Sequence, residues 1–434
     1  MRAGAVVGLS LAGALAVASA GCDWREFDDL KNKTLVASIS PPSDYDVTDD
    51  FGRIIVPVAP PADGSVAARF VTTATRQTAI GLMTLDAAGH IGGTSVDDPQ
   101  LLSLGNDPVR ALAEVPGANQ VLLGAPIADL GDVLLMSLTP PYAVTSFQKI
   151  GEPEYGGGLA AGNIGGGPAP EFVVTSSTSV HVYVDGQGAM HKDQMSTTAC
   201  PIDFSISLAE NVRRNRAVLV APLLASGTQI AVGTPALSGP GHVSIFNFDV
   251  ATMTFTCALS LTGPESLFGQ SMAVGDFDAD GHLDLLVGAP PNHVYMYRGP
   301  VTATATATIA SRGTAGAGFG ASVAAFNLDG SQGDEALVGD PDADVGGEAG
   351  VGNVQIFTGP MLAGQLPSPT PPTLTAFETQ AGAAYGSAVA GLPFCPGAAA
   401  DGGAPGACVN LALVGASSRA LAYFTIGHPD PRVK

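Results

Sequence analysis

Residues 268–300 read FGQSMAVGDFDADGHLDLLVGAPPNHVYMYRGP. This stretch opens on an aromatic–glycine pair, Phe268-Gly269, and continues through a run rich in aspartate. An apolar run, Leu285–Pro290, then ends in Gly-Ala-Pro, and an alternating run, Val294–Tyr297, follows it. A wholly apolar run bounded by turn residues indicates a strand buried on both faces, whereas alternation indicates a strand nearer the rim of a sheet.

The same order of features recurs along the chain with a spacing near 50 residues. The glycine of Gly-Ala-Pro corresponds to positions 73, 124, 175, 233, 288, 339 and 415. The last, longer step contains the proline-rich segment Leu366–Pro372, which we interpret as an inserted surface loop. Aromatic–glycine pairs precede several of these runs: Tyr155-Gly156, Phe268-Gly269, Phe319-Gly320 and Tyr385-Gly386, with Phe51-Gly52 as a remnant.

A period of about 50 residues with four short strands per unit is typical of a propeller blade. Seven such units predict an all-β, seven-bladed propeller with four antiparallel strands in each blade. A series of β-sandwiches is the alternative, but it does not explain why the same order of motifs recurs at near-constant spacing. A ring of this kind must close, and we expect the strand predicted at 35–39 to complete the last blade.

The chain divides into three parts. Residues 1–21 are predicted to be a signal peptide, 22–34 a lipidated cysteine with a polar tether, and 35–434 a single propeller. The best-preserved repeats cover 266–300, 316–360 and 382–426.

Composition excludes several classes of function. The chain of 434 residues is 46% hydrophobic and only 13% charged, and it contains 56 Gly and 33 Pro, which favours short strands joined by turns. The formal charge of −21 argues against nucleic acid binding, which depends on Lys and Arg that neutralise phosphates. It argues equally against docking on anionic lipid through a basic patch.

The N-terminal segment has the pattern of an export signal. Arg2 precedes a short apolar run, Ala3–Ala18, and the sequence Ser-Ala-Gly-Cys that ends at Cys22 resembles a bacterial lipobox. We therefore expect Cys22 to be acylated and to hold the protein on the bacterial cell envelope, at the outer membrane or the periplasmic face. Ser19 stands where a lipobox usually has Leu, so cleavage near Ala20 by an ordinary signal peptidase is the alternative.

Four further cysteines suit an oxidising compartment, and an even number favours disulfides. Of the three pairings, we favour Cys200–Cys257 and Cys395–Cys408, since each pair falls within one repeat. Unpaired buried thiols are the alternative. None of the four has the spacing of a zinc or redox motif.

The aspartate run in 268–300 predicts a calcium loop. The carboxylates of Asp276, Asp278, Asp280 and Asp284 fall at positions 1, 3, 5 and 9, and the carbonyl of His282 is placed to fill position 7. Gly281 supplies a sharp turn, and four carboxylates so close together repel one another without a cation. An Asp/Gly-rich surface turn is the alternative reading. Magnesium suits such a loop less well, because it demands a small octahedral shell.

Two further acidic stretches are weaker candidates. With Ala325 at position 1, residues 325–334 lack a complete ligand set, and the closing Asp334 comes one residue late, so we expect little or no binding there. Residues 340–348 carry acids at similar spacing but no turn glycine, which favours a polar hairpin.

Phe-Gly, then DxDxDGxxD, then Leu-Leu-Val-Gly-Ala-Pro resembles the FG-GAP repeat of integrin α-subunit heads and of many exported bacterial proteins. The resemblance is close at 268–300, degraded in the last two repeats and partial before residue 260. It implies a seven-bladed β-propeller, in agreement with the count of units.

The sequence gives little support for catalysis, since it has no GxSxG, HExxH or P-loop motif. We predict a non-enzymatic, lipid-anchored binding, adhesion or scaffold module with structural calcium, whose partner is an unknown protein or glycan. An envelope hydrolase or lyase is one alternative, because catalytic carboxylate pairs need not be close in sequence. A carbohydrate-binding module is another, although Trp24 is the only tryptophan.

Overall fold

A computed structural model describes most of the chain after residue 34. The described residues are 35–39, 51–73, 80–86, 91–96, 98–102, 104, 109–126, 131–148, 150–186, 191–202, 217–236, 239–311, 318–328, 332–358, 373–375, 381–395, 409–416 and 421–425. The predicted signal peptide, Cys22, the tether and the proline-rich segment lie outside them.

The strands form seven four-stranded antiparallel sheets, numbered here by chain order. Sheets 1 and 2 contain β2 (Ile55–Val58), β3 (Ala68–Thr73), β4 (Ile80–Leu85) and β5 (Ile91–Val96), then β6 (Ala111–Val115), β7 (Gln120–Ala125), β8 (Asp132–Ser137) and β9 (Val144–Gln148). Sheets 3 and 4 contain β10 (Gly158–Gly162), β11 (Glu171–Thr175), β12 (Ser179–Tyr183) and β13 (His191–Met195), then β14 (Val218–Ala221), β15 (Gln229–Thr234), β16 (His242–Asp249) and β17 (Thr254–Thr262). Sheets 5 and 6 contain β18 (Ser271–Gly275), β19 (Asp284–Ala289), β20 (His293–Tyr297) and β21 (Ala307–Ala310), then β22 (Ser322–Phe326), β23 (Glu335–Asp340), β24 (Asn353–Phe357) and β25 (Thr373–Thr375). Sheet 7 contains β26 (Ala388–Phe394), β27 (Val409–Gly415), β28 (Leu421–Thr425) and β1 (Leu35–Ile39).

The first strand of each sheet contacts the first strand of the next, from β2 through β6, β10, β14, β18 and β22 to β26 and back to β2. These seven strands therefore form a closed ring around a central channel. The predicted all-β propeller with four antiparallel strands per blade is confirmed.

The ring closes where the sequence predicted. Strand β1 pairs antiparallel with β28, in a register that sets Leu35 opposite Thr425 and Ile39 opposite Leu421. The residues 35–39 thus supply the outer strand of sheet 7, whose other strands come from the last repeat.

The second strands of the sheets are deeply buried, as the apolar runs predict. All six residues of β19 are buried, and the same holds for β23 and β15. Each sheet packs face to face on the next: Phe277 and Leu286 of sheet 5 share an apolar cluster with Val338 of sheet 6. Only one α-helix is present in the described residues, a single turn at Pro99–Leu102 (α1), and no helix there is long and apolar enough to cross a membrane.

Contacts between glycines of successive sheets explain the Phe-Gly and Gly-Ala-Pro signatures. A Cβ added to Gly288 of sheet 5 would lie 2.2 Å from the carbonyl oxygen of Gly320, which opens sheet 6. Gly320 itself has a φ of +88°, a conformation that side chains disfavour. The same close approach occurs at Gly124–Gly156, Gly233–Gly269, Gly339–Gly386 and Gly415–Gly52. The last pair joins sheet 7 to sheet 1, so Phe51-Gly52 makes the same contact between sheets as the other aromatic–glycine pairs.

The predicted Cys200–Cys257 disulfide is present. It does not lie within one sheet, however, because Cys200 follows β13 of sheet 3 and Cys257 lies on β17, the outer strand of sheet 4. The bond therefore fastens the connection between the two sheets. Cys395 is disulfide-bonded as well, and Cys408, its predicted partner, lies outside the described residues.

Candidate metal centre and channel-mouth cavity

The predicted calcium loop connects β18 to β19 in sheet 5. Carboxylate oxygens of Asp276, Asp278 and Asp284 lie within 4.8 Å of one another. Calcium binds oxygen at about 2.3–2.6 Å, so oxygens up to roughly 5 Å apart are able to share one ion. Three of the four predicted carboxylates thus converge on a single point.

Asp280 and His282 are not part of this convergence. Both are exposed, and Asp280 Oδ1 accepts a hydrogen bond from the His282 amide at 2.8 Å. The loop carries Asp280 outward after Ala279, which has a φ of +61°. Asp280 and the His282 carbonyl would need to turn inward to join the ligand set.

Backbone amides hold the loop in its bent form. The Asp276 carboxylate accepts the amides of Asp280 and Gly281, each at 3.0 Å. Asp284 accepts the Phe277 amide at 3.0 Å and the Gly299 amide at 2.7 Å. The carboxylates are therefore positioned before any ion arrives, which reduces the ordering cost of binding.

Burial dominates the electrostatics of the centre. Asp284 is fully buried, and this burial, reinforced by the charges of Asp280 and Asp276, raises its pKa to about 6 even though two amides lower it. Asp278 Oδ2 is also buried; it accepts no hydrogen bond among the described residues, and its ion-pair partner is the Arg298 guanidinium. Several acids thus face one guanidinium, and an all-oxygen donor set of this kind fits calcium.

The equivalent loop of sheet 6 requires a correction. Strand register sets Phe326 opposite Glu335, as Gly275 stands opposite Asp284 in sheet 5. Asn327, not Ala325, is therefore the first position, and the closing acid is Glu335, not Asp334. Glu335 Oε2 accepts the Leu328 amide at 2.6 Å, as Asp284 accepts that of Phe277. Asp329, at the third position, lies outside the described residues.

The other acidic run, in residues 340–348, lies in the connection from β23 to β24. Among the described residues, its carboxylates form no group with metal-type spacing. Asp340 is buried, Asp344 Oδ1 accepts the Gly350 amide at 3.0 Å, and Val345 and Glu348 form an isolated antiparallel bridge. The segment is a tight polar turn, as its sequence predicts.

A second feature lies at the mouth of the central channel where the first strands begin. A cavity of about 440 Å³ opens there, lined by loops of sheets 1, 4, 5, 6 and 7. Polar groups in its wall include Arg53, Gln270, Ser322, Asp342 and Ser387. Gln270 is only 7% exposed, and its Oε1 has no hydrogen-bond partner within the described part of the chain. Sequence reasoning missed this cavity, although Gln270 directly follows a Phe-Gly pair and the ring geometry points that position at the channel mouth.

Comparison with known families agrees with this geometry. Residues 268–301 match the FG-GAP repeat family. The chain is a β-propeller whose fifth sheet carries a match to the FG-GAP repeat. Its FG-GAP match spans β18, β19 and β20 and contains all five predicted metal ligands. A comparison with curated proteins finds no match.

Proposed function

We propose that this protein is an exported, lipid-anchored, seven-bladed FG-GAP propeller that acts as a non-enzymatic binding, adhesion or scaffold module of the bacterial cell envelope. The observation that carries the proposal is the channel-mouth cavity. Loops from five sheets converge on it, and they hold charged and neutral polar groups on a rigid ring. A concave site on which polar groups from several loops converge is a usual form of a ligand site.

Calcium in this proposal is structural. Asp276, Asp278 and Asp284 would hold the ion, with Asp280 and the His282 carbonyl turning in to complete the shell. The bound ion would neutralise buried carboxylates and fix the connection between β18 and β19. The loop joins the end of β18 to β19, whereas the cavity lies where β18 begins, so the two sites occupy opposite faces of the ring.

The predicted N-terminal signal and the lipobox-like sequence that ends at Cys22 support the envelope location. The Cys200–Cys257 disulfide agrees with an oxidising compartment. The ligand at the channel mouth would be an unidentified protein or glycan of the envelope.

The binding proposal is tested by photo-crosslinking in intact cells. A photoreactive amino acid replaces Ala321, which lines the cavity, and in a matched control it replaces Ser226, which is exposed between β14 and β15 on the opposite face. We expect a discrete crosslinked species from position 321 alone. Equal crosslinking from both positions, or none from position 321, would contradict a ligand site at the channel mouth.

A further inference from the structure

A cluster of Glu152, His181 and Asp193 lies in sheet 3, well outside the calcium loop. His181 Nδ1 is 2.8 Å from Asp193 Oδ1, and His181 Nε2 is 3.1 Å from Glu152 Oε2. Strand pairing explains one contact, because His181 on β12 stands directly opposite Asp193 on β13. Glu152 comes from the connection between β9 and β10, so three separate segments meet here.

The surroundings hold these groups in place. Ser176 Oγ donates to Glu152 Oε2 at 2.5 Å, and Thr178 Oγ1 donates to the same oxygen at 3.3 Å. The Tyr155 ring packs edge-on against the imidazole, with centroids 5.5 Å apart. The glutamate is thus oriented by hydroxyl groups, and the imidazole plane is fixed by an aromatic wall.

The arrangement requires a proton or a cation between Nε2 and Glu152. When Nδ1 donates its proton to Asp193, a neutral imidazole presents a lone pair at Nε2. That lone pair would face a carboxylate oxygen across 3.1 Å, and two acceptors at this distance repel each other. A proton, on the ring or on the carboxyl group, or a cation must therefore lie between them.

Exposure favours the cation. The His181 side chain is fully buried, whereas those of Glu152 and Asp193 are 31% and 46% exposed. Solvent therefore reaches the Glu152 carboxylate beside the buried Nε2, and water is able to complete the coordination of an ion bound there. One ligand atom from each of the three residues lies within 4.8 Å of the others.

We propose that this cluster binds a first-row divalent transition metal ion of the zinc class. His181 Nε2 and Glu152 are the ligands, and Asp193 holds the Nδ1 proton, which is the carboxylate–histidine–metal arrangement that orients metal-binding imidazoles. An imidazole nitrogen distinguishes the site from the all-oxygen calcium loop, since nitrogen donors favour zinc, copper, iron or nickel over calcium. The ion would fasten the connection that precedes β10 to the outer strands of sheet 3.

The test uses the mature protein after chelator treatment, with excess calcium present to saturate the loop in sheet 5. Zinc is titrated calorimetrically, and cobalt is added separately to read the ligand field from its visible absorption. We expect one zinc ion per wild-type chain. Glu152→Gln is expected to weaken zinc binding at least tenfold, and His181→Gln is expected to abolish both the heat and the cobalt spectrum.

Two controls isolate the site. His242→Gln removes an imidazole whose Nδ1 contacts Thr262, and Asp278→Asn removes a calcium ligand; neither is expected to change zinc binding. If His181→Gln does not fold, Glu152→Gln decides the question, because its side chain is partly exposed. Absence of zinc binding in the wild type, or its persistence in the Glu152 variant, would overturn the proposal and leave a hydrogen bond, not a metal ion, between His181 Nε2 and Glu152.

Discussion

Asp276 and Asp334 are joined by two hydrogen bonds across neighbouring sheets. The Asp276 amide donates to Asp334 Oδ2 at 2.8 Å, and the Asp334 amide donates to the carbonyl oxygen of Asp276 at 2.8 Å. The calcium loop of sheet 5 is therefore fastened to the equivalent loop of sheet 6. Burial and the nearby Asp276 charge raise the pKa of Asp334, although the Asp276 amide lowers it. An ion that fixes Asp276 would also fix this contact between sheets.

Calcium is therefore expected to stabilise the folded ring. At a free calcium concentration of 100 times the dissociation constant, binding to the folded state alone adds about 2.7 kcal/mol to the free energy of unfolding. Wild-type protein should melt at a higher temperature in calcium than in chelator, and Asp278→Asn should melt at the same temperature in both. Asp249→Asn, which alters an exposed turn in sheet 4, serves as control and should keep the full calcium response. Identical melting of the wild type in both buffers would exclude a calcium site.

Arg298 is expected to compete with the ion for Asp278. Its guanidinium is the ion-pair partner of Asp278 Oδ2, so it places a positive charge where calcium would bind. Arg298→Gln should tighten calcium binding about tenfold, which corresponds to roughly 1.4 kcal/mol. Calorimetric titration of calcium into both proteins measures the difference. Weaker binding in the variant would show that Arg298 supports the calcium-bound loop.

The close approach of glycines between sheets predicts a severe effect of a single methyl group. Gly288→Ala would place Cβ 2.2 Å from Gly320 O and 2.1 Å from Ser271 Oγ, so the two sheets would have to separate. Overpacking of this kind costs about 1–3 kcal/mol, and backbone atoms yield less readily than side chains. Gly167→Ala is the matched control, because its nearest neighbour would be Asp185 Oδ1 at 3.6 Å. Chemical denaturation should show a large loss for the first variant and almost none for the second.

Asp340 predicts a dependence of stability on pH. Burial, with a smaller contribution from the Asp342 charge, raises its pKa from 3.8 to about 6, although the nearby Gly318 and Asp342 amides lower it. The folded state therefore holds the proton more tightly than the unfolded state. The resulting stability is complete below pH 4 and is lost as the pH rises through 6.

The loss, reduced for solvent screening, is on the order of 1–2 kcal/mol. Asp340→Asn should remove it, while Asp63→Asn, at an exposed turn, should leave it unchanged. Asp284 titrates in the same direction, so the quantity to compare is the difference between wild type and variant at each pH. An unchanged pH profile in Asp340→Asn would contradict the assignment.

Membrane attachment is expected to depend on Cys22. Cys22→Ser should move the protein from the membrane fraction to the soluble fraction, and mass spectrometry should find no acyl chain on its N-terminus. The competing prediction is cleavage by an ordinary signal peptidase near Ala20. Equal solubility of wild type and variant, with an unmodified N-terminus in both, would support that alternative.

The repeat could be recognised in the sequence because the second strand of each sheet is buried on both faces, which restricts it to apolar residues. Runs such as Leu285–Ala289 must be apolar throughout, so an apolar run in the sequence locates the second strand of each sheet. The sequence alone does not explain why the Gly-Ala-Pro motif needs its glycine, since the backbone that this glycine contacts belongs to the next unit. Where that glycine is replaced by Thr73 or Thr175, the following unit also lacks its aromatic–glycine pair. This matched loss follows from a contact that only the ring reveals.

The site was predictable only where its residues are local. The carboxylates of Asp276, Asp278 and Asp284 lie within nine residues, so their spacing identified them. In sheet 6 the spacing of acids predicted the wrong closing residue, because the register of β22 and β23 decides which acid closes the loop. The cluster around His181 left no local signal, as Glu152 is 29 positions away.

The pairing of β1 with β28 sets the order in which the molecule is assembled. The two strands lie almost 400 residues apart in the chain, so sheet 7 remains incomplete until the last strand has been made. Until then, β27 has no outer neighbour. The entropic cost of joining such distant segments grows only with the logarithm of their separation. A chain truncated before β28 would therefore lose the pairing that joins its N-terminal strand to the last repeat, although six of its seven sheets would be intact.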